Sequence, residues 1–349
     1  MTLKIYRLEH NILKSEMTAA LDRRGVEAQS VADVTAALIE TSLRGVDSHG
    51  INLFPHYCRA VDSGRINKQP RLNMVRKTVS AGVLDADHGF GHRAGHAAMD
   101  IAVEMAGETG IGAVAVRNSS HFAAAGYYGM MAARCGHIGL AFTNADALVK
   151  AHGSPISFFG TNPICIAAPM ADEAPFCLDM ATSQISWNKI LGYRRSGQPL
   201  EPNWAFNEYG GSTESADAAR SLAPAGQYKG FGLGMAIEIL CGLLTGGPVA
   251  RELIAMYENL PERRHISHFF IALNIESFVS ITEFCSRLSA MAKEIRSLPA
   301  LDADHPPQIP GDPEKNAMAR RLKAGIPMDS VKFDEFLKVS PNFSQALLK

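Results

Sequence analysis

Strand-like and helical stretches alternate along most of this chain, and that alternation limits the fold more than any other feature of the sequence. Apolar runs of strand length lie at 72–79, 81–86, 111–116, 138–142, 163–169, 175–179 and 268–273. Apolar residues at helical spacing lie between these runs and at both chain ends, and the most apolar helix is predicted at 230–244. The polar segment 192–227 predicts mainly irregular connection. Interleaved strands and helices predict a mixed α/β fold.

Charge and composition exclude several kinds of partner. The 349 residues carry a formal net charge of −1, so there is no overall field to attract nucleic acid or an anionic membrane. No run approaches the roughly 18 apolar residues of a membrane span, and the N-terminus lacks a signal-peptide core. The six cysteines are scattered, which predicts buried free thiols in a reducing compartment. We therefore expect a cytoplasmic protein that acts on a small molecule.

A glycine-rich turn after the strand predicted at 81–86 has some features of a dinucleotide-binding fingerprint. Gly89, Gly91 and Gly95 could bring backbone close to a pyrophosphate at a helix N-terminus. Their spacing is GxGxxxG rather than GxGxxG, and Arg117 stands where an acidic residue would close the next strand. We favour a plain glycine-rich turn over a Rossmann nucleotide site.

Three histidines in the same region, His88, His92 and His96, recur every four residues, a spacing that could place metal ligands on one helix face. Glycines interrupt the first turn, and no fourth ligand lies nearby. We predict no metal site there.

The first candidate for proton-transfer chemistry is His49, within Asp47-Ser48-His49-Gly50. Gly45 ends the predicted helix before it, which places His49 on a loop. An imidazole titrates near neutrality, so it can give a proton to a carbonyl oxygen or take one from an alcohol. The neighbouring Ser48 or Asp47 can fix its tautomer.

The second candidate is His121, which lies between the strand predicted at 111–116 and the next helix. Side chains at such strand ends converge on clefts in α/β proteins. Asp146 follows the next strand in the same way, so we expect it to orient His121 through a hydrogen bond.

Three further blocks carry residues suited to binding an anion. Asn162 lies in the turn Gly160-Thr161-Asn162-Pro163, and the stretch 178–183 ends a strand with small and hydroxyl residues that could begin a helix. Lys229 stands at the start of the apolar helix, where it could meet a phosphate or carboxylate. Each block alone is more often structural than functional.

Taken together and in order, five blocks resemble the malate/L-lactate dehydrogenase family (type 2). The matching stretches are Arg44 to Gly50, Asn118 to Tyr127, Gly160 to Pro163, Leu178 to Thr182 and Lys229 to Gly232. The family includes ureidoglycolate and sulfolactate dehydrogenases, diketogulonate reductase and piperideine-carboxylate reductase. The resemblance runs from about residue 10 to 330.

The resemblance implies a fold that is not a Rossmann fold. It implies that NAD or NADP binds on a mixed, largely antiparallel α/β domain, expected at 71–280. A helical domain built from both chain ends is expected at 1–70 and 281–349. The resemblance also implies a homodimer with the active site near the subunit interface.

Carried over by position, the resemblance makes His49 and His121 the candidate acid/base residues, with Ser48 as a relay or orienting partner, and we favour His121. It implies substrate contacts at His49, Asn52, Leu53, Tyr57 and Asn162. It implies cofactor contacts at Phe122, Ala123, Leu178, Asp179, Met180, Ala181, Thr182, Ser183, Lys229, Gly230, Gly311 and Asp312. The cofactor would supply the hydride chemistry while the protein manages the proton.

Position 53 departs from the family pattern. Family members usually carry an arginine there, four residues after the His49 equivalent, and its planar fork matches a substrate carboxylate. Leu53 cannot bind a carboxylate. Either another cation, such as Lys150 or Lys189, anchors the substrate, or the substrate is neither malate nor lactate.

The leading hypothesis is therefore an NAD- or NADP-dependent oxidoreductase, acting on CH–OH, that interconverts a small 2-hydroxy acid and its 2-oxo acid. One alternative is reduction of a cyclic imino acid or oxidation of a ureido-type acid. Another is a catalytically silent binding protein on the same fold. The sequence does not distinguish NAD from NADP.

Overall fold

A computed structural model describes residues 4–341 and residue 343 of the chain. Its strands are β1 (Ile5–Leu8), β2 (Asn73–Lys77), β3 (Ala81–Asp85), β4 (Ile111–Ser119), β5 (His137–Thr143), β6 (Val149–Lys150), β7 (Ser157–Phe159), β8 (Ile164–Ala168), β9 (Phe176–Met180), β10 (Ala205–Phe206), β11 (Ser212–Thr213), β12 (Ser221–Leu222), β13 (Ile266–Asn274) and β14 (Ile326–Asp329).

The α-helices alternate with these strands. They are α1 (His10–Asp22), α2 (Ala28–Leu43), α3 (Phe54–Asp62), α4 (Gly91–Thr109), α5 (Ala125–Arg134), α6 (Trp187–Ser196), α7 (Tyr228–Glu238), α8 (Ile281–Ser297), α9 (Asp312–Ala324) and α10 (Ser330–Val339). A π-helical segment, Ile239–Leu243, continues α7. No helix in the described residues is long and apolar enough to cross a bilayer.

A seven-stranded mixed sheet forms the centre of the molecule, in the order β2-β3-β4-β13-β5-β8-β9. The β3/β4 pair is parallel, and the other neighbouring pairs are antiparallel. Helices α4 and α5 pack on one face, and α7 with its π-helical segment packs on the other. The mixed α/β class predicted from the sequence is confirmed.

Small residues let α5 approach the sheet closely. A Cβ atom added to Gly139 on β5 would collide with the carbonyl oxygen of Gly129 on α5. A Cβ added to Gly95 on α4 would lie 2.7 Å from the Tyr128 ring of α5. These contacts set how closely α5 packs against the sheet and against α4, and α5 begins at Ala125, four residues after His121.

Both ends of the chain contribute to a second apolar core. Strand β1 pairs antiparallel with β14, Ile5 opposite Asp329. Side chains from α1, α2 and α3, such as Leu13, Leu38 and Phe54, pack with Phe336 of α10 in one cluster. Helix α8 lies outside this cluster, because its buried Ala292 packs with Met170 and Ile309. The division into two domains at residues 70 and 281 stays a prediction.

The segment predicted to be irregular, 192–227, contains more regular structure than its composition indicated. It holds the second half of α6 and the two-residue strands β10, β11 and β12, which join β6 and β7 in a small sheet ordered β11-β10-β12-β6-β7. Strands of two residues are too short to produce a periodic pattern, so their pairing depends on distant partners. This small sheet brings Arg220 to the edge of the site described next.

Candidate active site

The loop that carries His49 is fixed at both ends. Gly45 takes a positive φ of 88° directly after α2, and Arg321 of α9 donates to Asp47 from 2.8 Å. The Ser48 hydroxyl oxygen lies 2.8 Å from Nδ1 of His49. The predicted pairing of Ser48 with the imidazole is therefore present in the structure.

The loop that carries His121 runs from the end of β4 to the start of α5. It is held in an uncommon backbone conformation, since Asn118 and Ala123 both have positive φ, 51° and 65°. Nδ1 of His121 lies 2.7 Å from the phenol oxygen of Tyr57 on α3. Tyr57 is 1% exposed and its hydroxyl binds His121, so its predicted contact with substrate stays a prediction.

The two imidazoles lie together. Their ring centroids are 5.9 Å apart, with an angle of 26° between the ring planes. Burial lowers the pKa of His49 to about 4. Burial, reinforced by the nearby His49, also holds the pKa of His121 well below its usual value. Both rings are neutral at pH 7, and protonating one disfavours protonating the other.

Asp146 does not orient His121. Its carboxylate forms an ion pair with Arg264, whose side chain is 3% exposed and also donates to the Ile254 carbonyl oxygen from 2.8 Å. The hydrogen-bonding position that Asp146 was predicted to fill is taken by Tyr57. Asp146 still lines the cavity that contains both histidines, but its charge is balanced by Arg264.

Two recesses meet at His49. The smaller, which we call the histidine cavity, has a volume of about 540 Å³ and contains His49, His121, Asp146, Arg194 and Arg220. The larger, which we call the long cleft, has a volume of about 810 Å³ and runs from Ser48 and His49 to the turn at 308–311. The two share His49, Thr161 and Ser186.

Seven of the residues predicted to contact the cofactor line the long cleft. They are Ala123, Leu178, Asp179, Met180, Ala181, Ser183 and Gly311. Asp179 accepts a hydrogen bond from the Gly126 backbone N–H, at the start of α5, over 2.7 Å. Asp179 is exposed to the cleft, and partial desolvation by the cleft walls raises its pKa to about 6.

Five others lie elsewhere. Phe122 is fully buried and stacks on His268, with ring centroids 4.6 Å apart. Thr182 is 1% exposed and donates to the Thr161 carbonyl oxygen over 3.0 Å. Asp312 forms an ion pair with Arg296 over 2.6 Å. These three side chains are engaged with the protein itself, and the cofactor contacts predicted for them stay predictions.

The start of α7 also differs from the prediction. Gly230 is buried under the backbone of Ala225 and Thr182, so it serves close packing rather than ligand contact. Lys229 is exposed beside it and does not line the long cleft. No helix begins in the stretch 178–183, because α6 starts at Trp187. The predicted anion cradle at 178–183 is absent.

Three residues predicted to contact substrate, at positions 52, 53 and 162, bond or pack within the protein, and their substrate contacts stay predictions. Asn162 is fully buried, and its amide donates to the Gly234 carbonyl oxygen over 3.0 Å and to Glu238 over 2.9 Å. Asn52 donates to the Asp47 carbonyl oxygen over 3.3 Å. Leu53 is 6% exposed in the chain-end core. Asn52 and Leu53 line a third recess, which we call the α6 groove, and not the histidine cavity.

The glycine-rich turn serves packing. The Ser120 hydroxyl accepts a hydrogen bond from the Gly91 N–H at the start of α4 over 2.9 Å, so protein already caps this helix. The three nearby histidines face different neighbours: His88 packs on His265, His92 on Tyr57, and His96 bonds Asp100 over 3.0 Å. No group of metal-binding residues occurs within residues 4–341.

Sequence reasoning missed Arg264, Arg194 and Arg220. Each reaches the site from a segment with no local motif, because a single arginine in a loop carries no spacing signal. Arg264 lies 118 residues from the aspartate that it binds.

A long cleft beside a small cavity that holds two hydroxyl-bound imidazoles forms a candidate active site, with room for a ligand next to groups that can exchange a proton. The chain belongs to the malate/L-lactate dehydrogenase family, whose sequence profile matches residues 8–336. It is therefore a dehydrogenase.

Similar proteins span the whole chain. Malate dehydrogenase of Pyrococcus abyssi is 38% identical over 96% of this chain and 94% of its own length. L-sulfolactate dehydrogenase of Methanocaldococcus jannaschii is 33% identical over 91% of this chain and 92% of its own. The crystal structure of malate dehydrogenase from Entamoeba histolytica superposes with a TM-score of 0.92, with 29% identity, covering 98% of this chain and 99% of that one.

Proposed function

We propose that this chain interconverts a small 2-hydroxy acid and its 2-oxo acid with NAD or NADP as the hydride carrier. The observation that carries the proposal is the pair of imidazoles, each bound through Nδ1 by a hydroxyl, at the junction of the histidine cavity and the long cleft. The names of the relatives support it, since malate and sulfolactate are both 2-hydroxy acids.

The long cleft has the chemistry that a dinucleotide needs. Leu178 and Met180 offer apolar surface for rings, and Asp179 can accept a hydrogen bond from a ribose hydroxyl. Arg44 and Lys189, which also line it, supply positive charge for a pyrophosphate. The nicotinamide end would lie towards His49, because there the cleft meets the cavity.

We infer that His121 handles the proton. In the described part of the chain, Nε2 of His121 has no hydrogen-bond partner, so it is free to face a ligand in the cavity. A nicotinamide held in the long cleft would supply the hydride acceptor for the carbinol carbon of the substrate. Nε2 takes the hydroxyl proton as the carbonyl forms, and it returns that proton in the reverse direction.

Burial keeps His121 in the neutral form that a base must have, while the lowered pKa by itself weakens the ring as a base. A neutral imidazole must be available before it can accept a proton, and burial keeps this ring neutral. A substrate carboxylate in the cavity would stabilise the protonated ring, and this brings the pKa of His121 back towards neutrality. His49, bound to Ser48, would then hold substrate at the junction while staying neutral.

The proposed cofactor domain is the mixed sheet with its flanking helices. A doubly wound nucleotide fold needs several parallel strands, whereas this sheet has one parallel pair, β3 and β4. We propose that the chain-end core, which contains Phe54 and Phe336, forms a separate helical unit against it.

We also propose a homodimer, formed through α7 and the π-helical segment. Leu233, Met235, Ile239, Leu243 and Leu244 are between 43% and 62% exposed along this helix. Such a continuous apolar surface is typical of an interface between subunits. Leu243→Glu should give a monomer by analytical ultracentrifugation, and an unchanged sedimentation coefficient would contradict this interface.

The proposed function is tested with purified protein, NAD or NADP, and a panel of 2-hydroxy acids, ureido acids and cyclic imino acids, monitored at the nicotinamide absorbance. We expect turnover with at least one 2-hydroxy acid. Turnover with imino acids alone would overturn the proposed reaction. Cofactor binding without any turnover would identify a catalytically silent binding protein instead.

A further inference from the structure

We propose that Arg220 binds the substrate carboxylate in this chain, in place of the arginine that position 53 lacks. This inference rests on the proposed function, because it assumes that the histidine cavity receives a 2-hydroxy acid. It names the residue that binds the substrate carboxylate, and it places that residue in the loop before β12 rather than in the turn before α3.

Most cations near the cavity are already engaged. Arg264 forms its ion pair with Asp146. Lys150 lies over the Phe206 ring, 3.8 Å from its centroid, and outside the cavity. Lys189 lines the long cleft and the α6 groove but not the histidine cavity. The arginines that line the cavity are Arg194 and Arg220.

Arg194 is largely committed to the protein. Its Nε and Nη2 both donate to the Ala216 carbonyl oxygen, over 3.2 and 2.9 Å, and Nε lies 3.4 Å from an Asp217 carboxylate oxygen. These are the two nitrogens that would form one side of a fork with a ligand carboxylate. Arg194 therefore has its Nε side occupied and its charge partly balanced by Asp217, and only the outer N–H groups of Nη1 and Nη2 remain for a ligand.

Arg220 is anchored at one end and free at the other. Its Nη1 donates to the carbonyl oxygens of Asp217 and Ala219, over 2.7 and 2.9 Å, which fixes the plane of the guanidinium. Among the residues that the structure describes, Nε and Nη2 have no hydrogen-bond partner and no carboxylate forms an ion pair with this arginine. Two parallel N–H groups thus remain for a carboxylate, the geometry of a bidentate pair.

Two hydrogen-bonded residues, Asn188 and Tyr257, which we call the wall, explain why a side chain at position 53 does not bind the substrate carboxylate. Asn188 of α6 donates to the Ser48 carbonyl oxygen over 2.8 Å and accepts from the Tyr257 hydroxyl over 3.1 Å. Asn188 and Tyr257 each line both the histidine cavity and the α6 groove. Leu53 lines the groove alone, so the wall separates it from a ligand beside His121.

The test compares the wild-type enzyme with Arg220→Gln and Arg220→Lys. We expect Arg220→Gln to raise KM for the best 2-hydroxy acid by about 10- to 100-fold, since a charged hydrogen-bonding pair is lost. Cofactor KM should stay within about threefold. Lysine keeps the charge without the fork, so Arg220→Lys should give an intermediate KM. Added guanidinium should lower the KM of Arg220→Gln.

Two control variants test whether the effect is specific to the charge of Arg220 and to its position in the cavity. Arg195→Gln removes a neighbouring charge on α6 that lines the α6 groove and not the cavity, so it should leave KM unchanged. Leu53→Arg should not lower KM, because its side chain would lie behind the wall. An Arg220→Gln enzyme that keeps its thermal midpoint and its KM would overturn the inference.

A binding measurement separates this inference from the proposed function. Oxamate, a carboxylate analogue of a 2-oxo acid, is titrated calorimetrically into the cofactor-bound wild type and Arg220→Gln. Loss of binding in the variant supports the anchor even if no 2-hydroxy acid turns over. Equal binding by both proteins, or no binding by the wild type, contradicts the anchor even if the dehydrogenase reaction is observed.

Discussion

The phenol oxygen of Tyr57 lies 2.7 Å from Nδ1 of His121, in the interior of the molecule. A phenol can donate or accept a hydrogen bond, so this contact is compatible with either tautomer of the imidazole. It leaves Nε2 as the nitrogen that meets a ligand in the histidine cavity. In the same way, the Ser48 hydroxyl oxygen lies 2.8 Å from Nδ1 of His49.

Removing the phenol oxygen should impair catalysis more than binding. We expect Tyr57→Phe to lower kcat by about tenfold or more, with KM changed by less than about threefold, because His121 loses the partner that orients it. Because Nδ1 of His121 then loses its partner away from solvent, we expect a stability loss of about 1–3 kcal/mol. Steady-state kinetics checks this, with the exposed Tyr209→Phe as a control, and an unchanged kcat would contradict the orienting role.

Asn162 should prove structural rather than substrate-binding. Its side chain joins Glu238 of α7 to the backbone of Ala145 and Gly234 in a buried network. We expect Asn162→Ala to lower the free energy of unfolding by about 2–3 kcal/mol, because buried partners lose their hydrogen bonds. Urea unfolding measures this loss. A stable variant with a large rise in substrate KM would restore the original substrate assignment.

The sequence predicted the strands and helices that have long periodic patterns, such as β4 and α7. It missed β1 and β14, which pair across more than 300 residues, and α6, whose buried face contains only Ile190. Elements without a periodic apolar face give no local signal, so only tertiary contacts reveal them.

In the candidate site, the sequence predicted the reactive residues but not the side chains that hold them. His49, Ser48 and His121 stood out from their chemistry and their order along the chain. The roles of their partners did not, because Tyr57 binds a histidine 64 residues away and Arg264 displaces Asp146 across 118 residues. Side-chain pairing over such separations is set by packing, which one sequence does not display.

Low pH should destabilise the fold through buried His92. This ring is fully buried, and burial lowers its pKa from 6.5 to about 3. The folded state therefore binds fewer protons than the unfolded chain below pH 6.5, and stability is lost as the pH falls from 6.5 towards 3. We expect His92→Phe to reduce the loss in unfolding free energy between pH 7 and pH 5 by about 2 kcal/mol.

Urea unfolding at the two pH values checks the His92 prediction. His305→Gln is the control, because His305 is 83% exposed and should leave the pH dependence unchanged. If the free energy of unfolding falls equally between pH 7 and pH 5 in the wild type and in His92→Phe, His92 is not a source of the acid sensitivity.

Asp179 should lower the stability of the fold as the pH rises, which is the opposite of the effect of His92. Desolvation by the cleft walls raises its pKa to about 6, so the folded state holds a proton that the unfolded chain releases, and stability falls as the pH rises from about 4 through 6. Asp179→Asn keeps an acceptor for the Gly126 N–H. After screening by water in the cleft, we expect a gain of about 1 kcal/mol at pH 8 and none at pH 4.

Thermal or urea unfolding of Asp179→Asn at both pH values measures this gain. Asp217→Asn, at a side chain that is 84% exposed, is the matched control. An equal gain at pH 4 and pH 8 would show that ionisation of Asp179 is not the cause.

The most direct test of the account is the turnover of His121→Ala, compared with His49→Ala and the wild type on the best 2-hydroxy acid with saturating cofactor. If His121 is the acid/base residue, its replacement lowers kcat by about 10²- to 10⁴-fold while cofactor affinity stays unchanged. His49→Ala should then mainly raise the substrate KM. Wild-type turnover by His121→Ala, with the loss of kcat in His49→Ala, would contradict the account and assign proton transfer to His49.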